Sequence, residues 1–203
     1  MTTAASQDWQ IFNQRCLATA LATIRQHLQR YIAQQKAPSK EKIAEGDTVE
    51  QPSDAVDRES LDRESPSALA YLSSAFALTS FEQQVLLLCA GVELSAEITQ
   101  LCAAAQGNER FTYPTFSLAL AAFPTAQWDA LAPVAPLRRW RLIEVVDSDS
   151  LTQSRLRVDE RVLHYLTGVP YLDDRLDGLL LPLSAPRHLL PSQQQTVQRM
   201  VDI

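Results

Sequence analysis

The order of helix and strand signals between residues 67 and 168 constrains the fold more than any other feature of this sequence. Thr79 stands three residues before Glu82, a capping-box spacing that predicts a helix start, and Gly91 is the predicted end of that helix. Shorter helical patterns precede and follow it, with apolar positions three or four residues apart. These positions are Leu69, Leu72 and Phe76; Ile98, Leu101, Cys102 and Ala105; and Phe116, Leu120 and Phe123. The sequence therefore predicts a succession of short helices.

Two extended segments follow these helices, on either side of a polar turn. The segment RRWRLIEVVD, at residues 138–147, is rich in β-forming residues, and SRLRVD, at residues 154–159, alternates arginine with apolar side chains. Asp159 then begins a further helical pattern, and Gly168 is its predicted end. Helices, a two-stranded hairpin and a closing helix follow one another in this order in winged-helix domains. We therefore predict a mainly α fold with a small β-hairpin, a winged-helix domain over residues 68–168.

A separate amphipathic helix is predicted before this domain, over residues 1–35, where the chain has neither Gly nor Pro. Its apolar stripe makes it a candidate docking helix, formed by Leu17, Leu21, Ile24 and Leu28. The a/d pattern of this stripe lasts about two heptads, fewer than the roughly three to four that indicate a coiled coil. Packing against the rest of the chain is therefore favoured over pairing with a second copy, and the partner of the helix stays open.

A flexible, disordered acidic linker is predicted over residues 36–67, between this helix and the winged-helix domain. The segment contains 14 charged residues and three prolines and has no aromatic side chain. It therefore cannot bury enough apolar surface to fold. With a domain boundary at residue 67, a chain that lacks residues 1–66 is expected to fold.

Connector helices are predicted over residues 169–203. Leucines are dense between Leu176 and Leu183, and two interpretations stay open: they complete the core from outside, or they form a hinge that leans on a following domain. The last helical pattern runs to Ile203 without a capping residue. We expect the natural protein to continue into a further domain.

Several classes of function are excluded by motifs that this sequence lacks. Its five glycines are never close together, so neither GxxxxGK[ST] nor GxGxxG, the loops that cradle phosphates, is present. The histidines and cysteines form no recognised metal or nucleophile motif; they are His27, His164, His188, Cys16, Cys89 and Cys102. No apolar run approaches the roughly 20 residues that cross a bilayer. We expect a cytoplasmic chain that is not an enzyme and holds no catalytic residue, metal or cofactor.

A cluster of arginines around the hairpin is the candidate interaction surface. Two antiparallel strands are expected to bring these side chains together; they are Arg138, Arg139, Arg141, Arg155, Arg157 and Arg161. Ion pairs with nearby carboxylates are the favoured interpretation, and an acidic partner surface is the alternative. DNA is disfavoured as a partner, because residues 68–168 carry seven arginines against ten carboxylates, a net charge of −3. The third helical pattern, PTFSLALAAF, also has no Arg, Lys, Asn or Gln to read a base edge.

Three blocks of the winged-helix segment carry a resemblance to a known family. They are SFEQQVLLLCAGVEL at residues 80–94, PLRRWRLIE at 136–144 and RVDERVLHYL at 157–166. The segment resembles the region that precedes the ATPase module in a group of bacterial AAA+ ATPases with an N-terminal winged-helix domain. Relatives of that kind occur in gene clusters of contractile phage-tail-like injection systems. The resemblance implies that ATP and Mg²⁺ bind in a downstream domain and that copies assemble through the full-length protein.

The leading hypothesis is a non-catalytic protein-interaction or regulatory module that recruits a substrate or adaptor to an AAA+ ATPase of a contractile injection system. Its expected partners are a protein adaptor, the downstream ATPase domain and further copies of the full-length protein. The alternative is a small winged-helix transcription regulator, complete as it stands. In that case the hairpin arginines contact DNA phosphates and the first helix forms a dimer.

Overall fold

The computed structural model describes residues 2–36, 66–146 and 150–169. Its helices are α1 (Thr2–Lys36), α2 (Ala68–Ala75), α3 (Ser80–Leu94), α4 (Ala96–Ala105), α5 (Phe116–Ala122), α6 (Pro136–Arg139) and α7 (Glu160–Thr167), with a 3-10 turn at Trp128–Leu131. The strands β1 (Ile143–Val146) and β2 (Arg155–Val158) lie between α6 and α7 in the chain. The mainly α fold with a small β-hairpin is confirmed. The predicted linker, apart from its ends, and the predicted connector beyond Val169 lie outside the described residues.

The N-terminal end of α3 has the predicted capping box, but the helix ends later than predicted. Thr79 Oγ1 accepts a hydrogen bond from the Glu82 backbone N–H, and a Glu82 carboxylate oxygen accepts one from the Thr79 backbone N–H. The expectation that Gly91 ends the helix is wrong, since α3 continues to Leu94. A Cβ at Gly91 would lie 2.8 Å from Cδ1 of Ile98 and 3.2 Å from Cδ2 of Leu21. This glycine therefore serves close packing with α1 and α4.

The two strands form the predicted antiparallel hairpin. Ile143 is opposite Val158 and Val145 is opposite Leu156, and these side chains face the core. The alternate positions of the two strands face outward, as the two-residue period of a strand requires. The predicted strand at residues 138–147 is shorter in the structure, because Pro136 begins the one-turn helix α6 and β1 starts at Ile143.

Helix α7 begins and ends at the predicted residues. The Asp159 side chain accepts a hydrogen bond from the Arg161 backbone N–H at the start of the helix. At its end, Gly168 adopts φ +77°, the left-handed conformation that favours glycine at a helix C-terminus. Local sequence therefore determines both ends of this helix.

Helix α1 packs within its own chain, as favoured from the sequence. It contacts α3, α4, α5 and α7, and Leu17, Ile24 and Leu28 are buried in the same core as those helices, with Leu21 partly buried against it. The apolar stripe that made α1 a candidate docking helix is thus covered by the rest of the chain and is not offered to a partner. The expectation that residues 67 onward fold without α1 loses its basis, because α1 supplies part of the core.

A buried asparagine joins α1 to the ends of two other helices. Asn13 is 1% exposed. Its Oδ1 accepts a hydrogen bond from the Ala68 backbone N–H at the start of α2, over 2.8 Å, and its Nδ2 donates to the Leu166 carbonyl near the end of α7, over 2.9 Å. Neither backbone group has a partner inside its own helix. Nearby, the Trp9 indole N–H donates to the Pro66 carbonyl over 3.0 Å. These bonds fix α1 on the domain.

Candidate interaction surface

The six arginines around the hairpin contact different groups in the structure. Arg155 and Arg157 project from the outer face of β2, and Arg157 stands directly opposite Glu144 of β1. Arg161 Nε lies 2.9 Å from Asp159 Oδ1. The hydrogen bond from the Arg161 side chain holds the pKa of the Asp159 carboxyl below its usual value. Arg161 therefore forms an ion pair with Asp159 of the kind that the favoured interpretation expects, and Arg157 faces Glu144 across the hairpin.

The other arginines lie near different groups. Arg138 Nη1 donates a hydrogen bond to the Leu131 carbonyl over 2.7 Å. The Arg139 guanidinium lies 5.4 Å from the centre of the Trp140 ring, while the Arg155 guanidinium lies 5.8 Å from that of Tyr113. The exposed Arg141 adopts φ +51° in the turn before β1. A role of these arginines in binding a partner stays a prediction.

Helix α5, the PTFSLALAAF pattern of the sequence, has one face buried in the core. Thr115 begins it by accepting a hydrogen bond from the Leu118 backbone N–H over 3.0 Å, and Phe116, Leu118 and Ala119 are buried. Helix α1 packs against α5. The positions of α5 that are not buried are Ser117, Leu120, Ala121 and Ala122, so the helix presents no Arg, Lys, Asn or Gln side chain to a base edge.

A histidine of α1 contributes to this covering contact. The imidazole of His27 meets the Phe123 ring edge-on, with centroids 5.8 Å apart and an interplanar angle of 77°. Burial lowers the pKa of His27, and the positive charge of Arg30 lowers it further. The side chain is therefore neutral at pH 7 and packs as an aromatic ring.

Two pairs of aromatic side chains reach the surface. Tyr71 of α2 and Tyr165 of α7 are 56% and 41% exposed, with ring centroids 6.3 Å apart. Phe76, at the end of α2, contacts Trp140, with centroids 5.6 Å apart, and Trp140 is 53% exposed. Aromatic and arginine side chains are enriched at the centres of protein interfaces. These pairs were not predicted from the sequence; the one available signal was the tryptophan among arginines in RRWR, at residues 138–141.

Within the described residues, metal-ligating and nucleophilic groups are dispersed. No group of three or more His, Cys, Asp or Glu side chains there could hold a metal ion. Cys89 and Cys102 are buried in the core, and burial raises the pKa of both thiols, that of Cys102 to about 12. Among the described helices, none is by itself long and apolar enough to cross a membrane; α3 and α4 reach that length only together, with a bend of 118° between them.

In a comparison with protein families, the model described as "Winged helix domain, variant" matches residues 4–180. The chain belongs to this family. No curated protein and no solved structure matches it. The match begins ahead of Trp9, so this winged helix domain includes α1 as well as the helices and hairpin that follow. The family therefore agrees with the packing of α1 in the core.

Proposed function

We propose that this winged helix domain is a non-catalytic protein-interaction module, the N-terminal regulatory region of an AAA+ ATPase that serves a contractile injection system. The module recruits a substrate or adaptor in the cytoplasm. A downstream domain binds ATP and Mg²⁺ and assembles copies of the full-length protein. The resemblance of residues 80–94, 136–144 and 157–166 to such ATPases supports this assignment.

The packing of α1 on α5 carries the protein-interaction part of the proposal. A helix that reads DNA must enter the major groove and present polar side chains to the base edges. Here α5 is covered by the chain's own N-terminal helix, and its buried face is apolar. The rest of α5 offers small or apolar side chains and no Arg, Lys, Asn or Gln, so partner binding is assigned to another surface, which the aromatic pairs Tyr71–Tyr165 and Phe76–Trp140 supply.

Charge also favours a protein partner over a nucleic acid. The net charge of the whole chain is −6, and the affinity of proteins for duplex DNA comes mainly from cations that neutralise phosphates. Arg157 and Arg161, which would contact a DNA backbone from the hairpin, lie beside Glu144 and Asp159.

Fluorescence anisotropy of a labelled DNA duplex, at micromolar protein and low salt, tests this choice. We expect no change in anisotropy. A rise that weakens steeply with added salt would overturn the protein-interaction assignment and support the alternative of a transcription regulator.

The reading frame beyond codon 203 tests the ATPase assignment. We expect a GxxxxGK[ST] loop after a β-strand within about a hundred residues, followed by a hydrophobic strand that ends in an acidic pair. A stop codon directly after Ile203 would refute this assignment and leave the protein-interaction part to be judged by the DNA experiment.

A further inference from the structure

A cleft with a volume of about 700 Å³ lies between the start of α3 and the segment from residue 127 to 136. Trp128 and Val134, which line it, are 69% and 76% exposed, so both present apolar surface to a partner. Pro136 and several alanines add further apolar lining. The wall also contains the carboxylates of Glu82 and Asp129 and no cationic side chain. The cleft thus combines apolar surface with negative charge.

Glu82 is buried to an extent that its capping role does not require. It is 2% exposed, and its Oε2 accepts hydrogen bonds from the Thr79 backbone N–H over 2.9 Å and from Thr79 Oγ1 over 3.1 Å. Its other oxygen, Oε1, is buried and has no hydrogen-bond partner in the described part of the chain. A buried carboxylate oxygen without a donor is costly, so most such groups in folded proteins are paired. The capping box explains Oε2 and leaves Oε1 without an explanation.

These features complement one kind of side chain. We infer that the cleft binds an arginine side chain of a partner polypeptide. A guanidinium group presents several N–H donors to carboxylates in a fixed plane, and the same plane stacks on an indole ring. The methylene stem of the arginine packs on the apolar wall formed by Val134 and Pro136. Asp129 attracts the charge at the cleft mouth, and a small rearrangement of the floor opens Glu82 Oε1 to a donor.

This inference rests on the proposed protein-interaction role and names the chemistry of one partner residue. It involves a surface distinct from the exposed aromatic pairs. The occupant is a basic polypeptide because the chain as a whole carries a net charge of −6 and the cleft lining contains two carboxylates.

Titration of the ¹⁵N-labelled chain with the peptide Ac-Ala-Ala-Arg-Ala-Ala-NH₂ tests the inference. Two-dimensional NMR resolves the indole N–H groups of the three tryptophans, and the signal of Trp128 is assigned from the variant Trp128→Phe. We expect a saturable shift of the Trp128 signal. The same peptide with citrulline in place of arginine keeps the shape and loses the charge. We expect its affinity to be lower by at least about tenfold.

Two matched variants separate the cleft from general electrostatics. Glu82→Gln keeps a capping residue at the same helix position but replaces the charged carboxylate by a neutral amide. We expect it to weaken arginine-peptide binding about tenfold. Glu97→Gln changes the net charge equally on α4, where Glu97 pairs with Arg25 outside the cleft. This control should bind within about twofold of the unmodified chain.

Three outcomes would overturn the inference: no saturable shift, equal binding of the arginine and citrulline peptides, or equal effects of the two variants. A lysine peptide that binds as tightly as the arginine peptide would overturn the assignment to a guanidinium. The proposed function is judged separately. Absence of both peptide and DNA binding would refute the inference alone, whereas DNA binding without peptide binding would refute both.

Discussion

The buried amide of Asn13 offers the sharpest test of how α1 is attached to the domain. Its two hydrogen bonds, of 2.8 and 2.9 Å, satisfy a backbone N–H at the start of α2 and a backbone carbonyl near the end of α7. In Asn13→Ala both backbone groups stay buried and lose their partner. Each unpaired buried group costs about 1–3 kcal/mol, so we expect the loss of both bonds to lower the free energy of unfolding by about 2–6 kcal/mol. That is a large fraction of the roughly 5–15 kcal/mol that stabilises a typical protein.

Urea unfolding, followed by the helical circular dichroism signal, measures this loss. Gln14→Ala removes an amide from the adjacent, exposed position of the same helix and is the matched control. Surface substitutions of this kind change stability by about 0.5 kcal/mol or less. If Asn13→Ala and Gln14→Ala unfold within that margin of each other, the two hydrogen bonds do not hold α1 in place and the reasoning is refuted.

A second substitution at the same position distinguishes lost hydrogen bonds from a lost side-chain volume. Asn13→Asp keeps an acceptor for the Ala68 N–H, but an ionised carboxylate also brings an oxygen against the Leu166 carbonyl. Burial and this repulsion raise the pKa of the introduced carboxyl, so its folded state binds a proton more tightly than its unfolded state. The stability of Asn13→Asp should therefore recover as the pH falls toward 4, because a protonated carboxyl can donate to Leu166. Asn13→Ala should show no such recovery relative to the unmodified chain.

Three further predictions follow from the packing of the core. Removal of residues 1–36 should abolish the cooperative thermal melt, because the buried face of α1 is part of the common core; a cooperative transition in the shortened chain would contradict this. Gly91→Val should destabilise the chain by about 1–3 kcal/mol in urea, since its Cβ would meet Ile98 at 2.8 Å; an unchanged midpoint would show that the contact can relax. The thiols of Cys89 and Cys102 should resist a thiol reagent at pH 8 until urea unfolds the chain, because burial raises their pKa values. Rapid labelling of Cys89 or Cys102 in the native chain would refute this protection. The contribution of these two thiols to stability is complete below the unfolded pKa of 9.0 and declines as the pH rises above it, which urea unfolding at pH 8 and pH 10 measures.

Several elements could be predicted from the sequence because short-range interactions determine them. Thr79 and Glu82 form the capping box that their spacing predicts, and Asp159 and Gly168 begin and end α7 as expected. The alternation of Arg155–Val158 likewise produces a strand with two faces. In each case the residues that interact are within about four positions of one another along the chain, or are neighbours on one strand.

The candidate site depended on contacts that the local sequence does not specify. The surroundings of each hairpin arginine depend on which acceptor or ring the fold places near it, such as the Leu131 carbonyl beside Arg138. Trp128 and Trp140 have apolar side chains that suggest burial, yet both are largely exposed. Exposure is a property of the packed structure, so no sequence period reveals it.

The sequence by itself determined most of the helices, the hairpin and their order, because capping groups and apolar periods act between residues close in the chain. The tertiary structure alone decided that Gly91 lies inside a helix, that α1 covers α5 and that Asn13 joins three helices. These outcomes depend on contacts between residues up to 153 positions apart. They arise because apolar faces of different helices pack together and most buried polar groups form hydrogen bonds, and both conditions are met only in the assembled core.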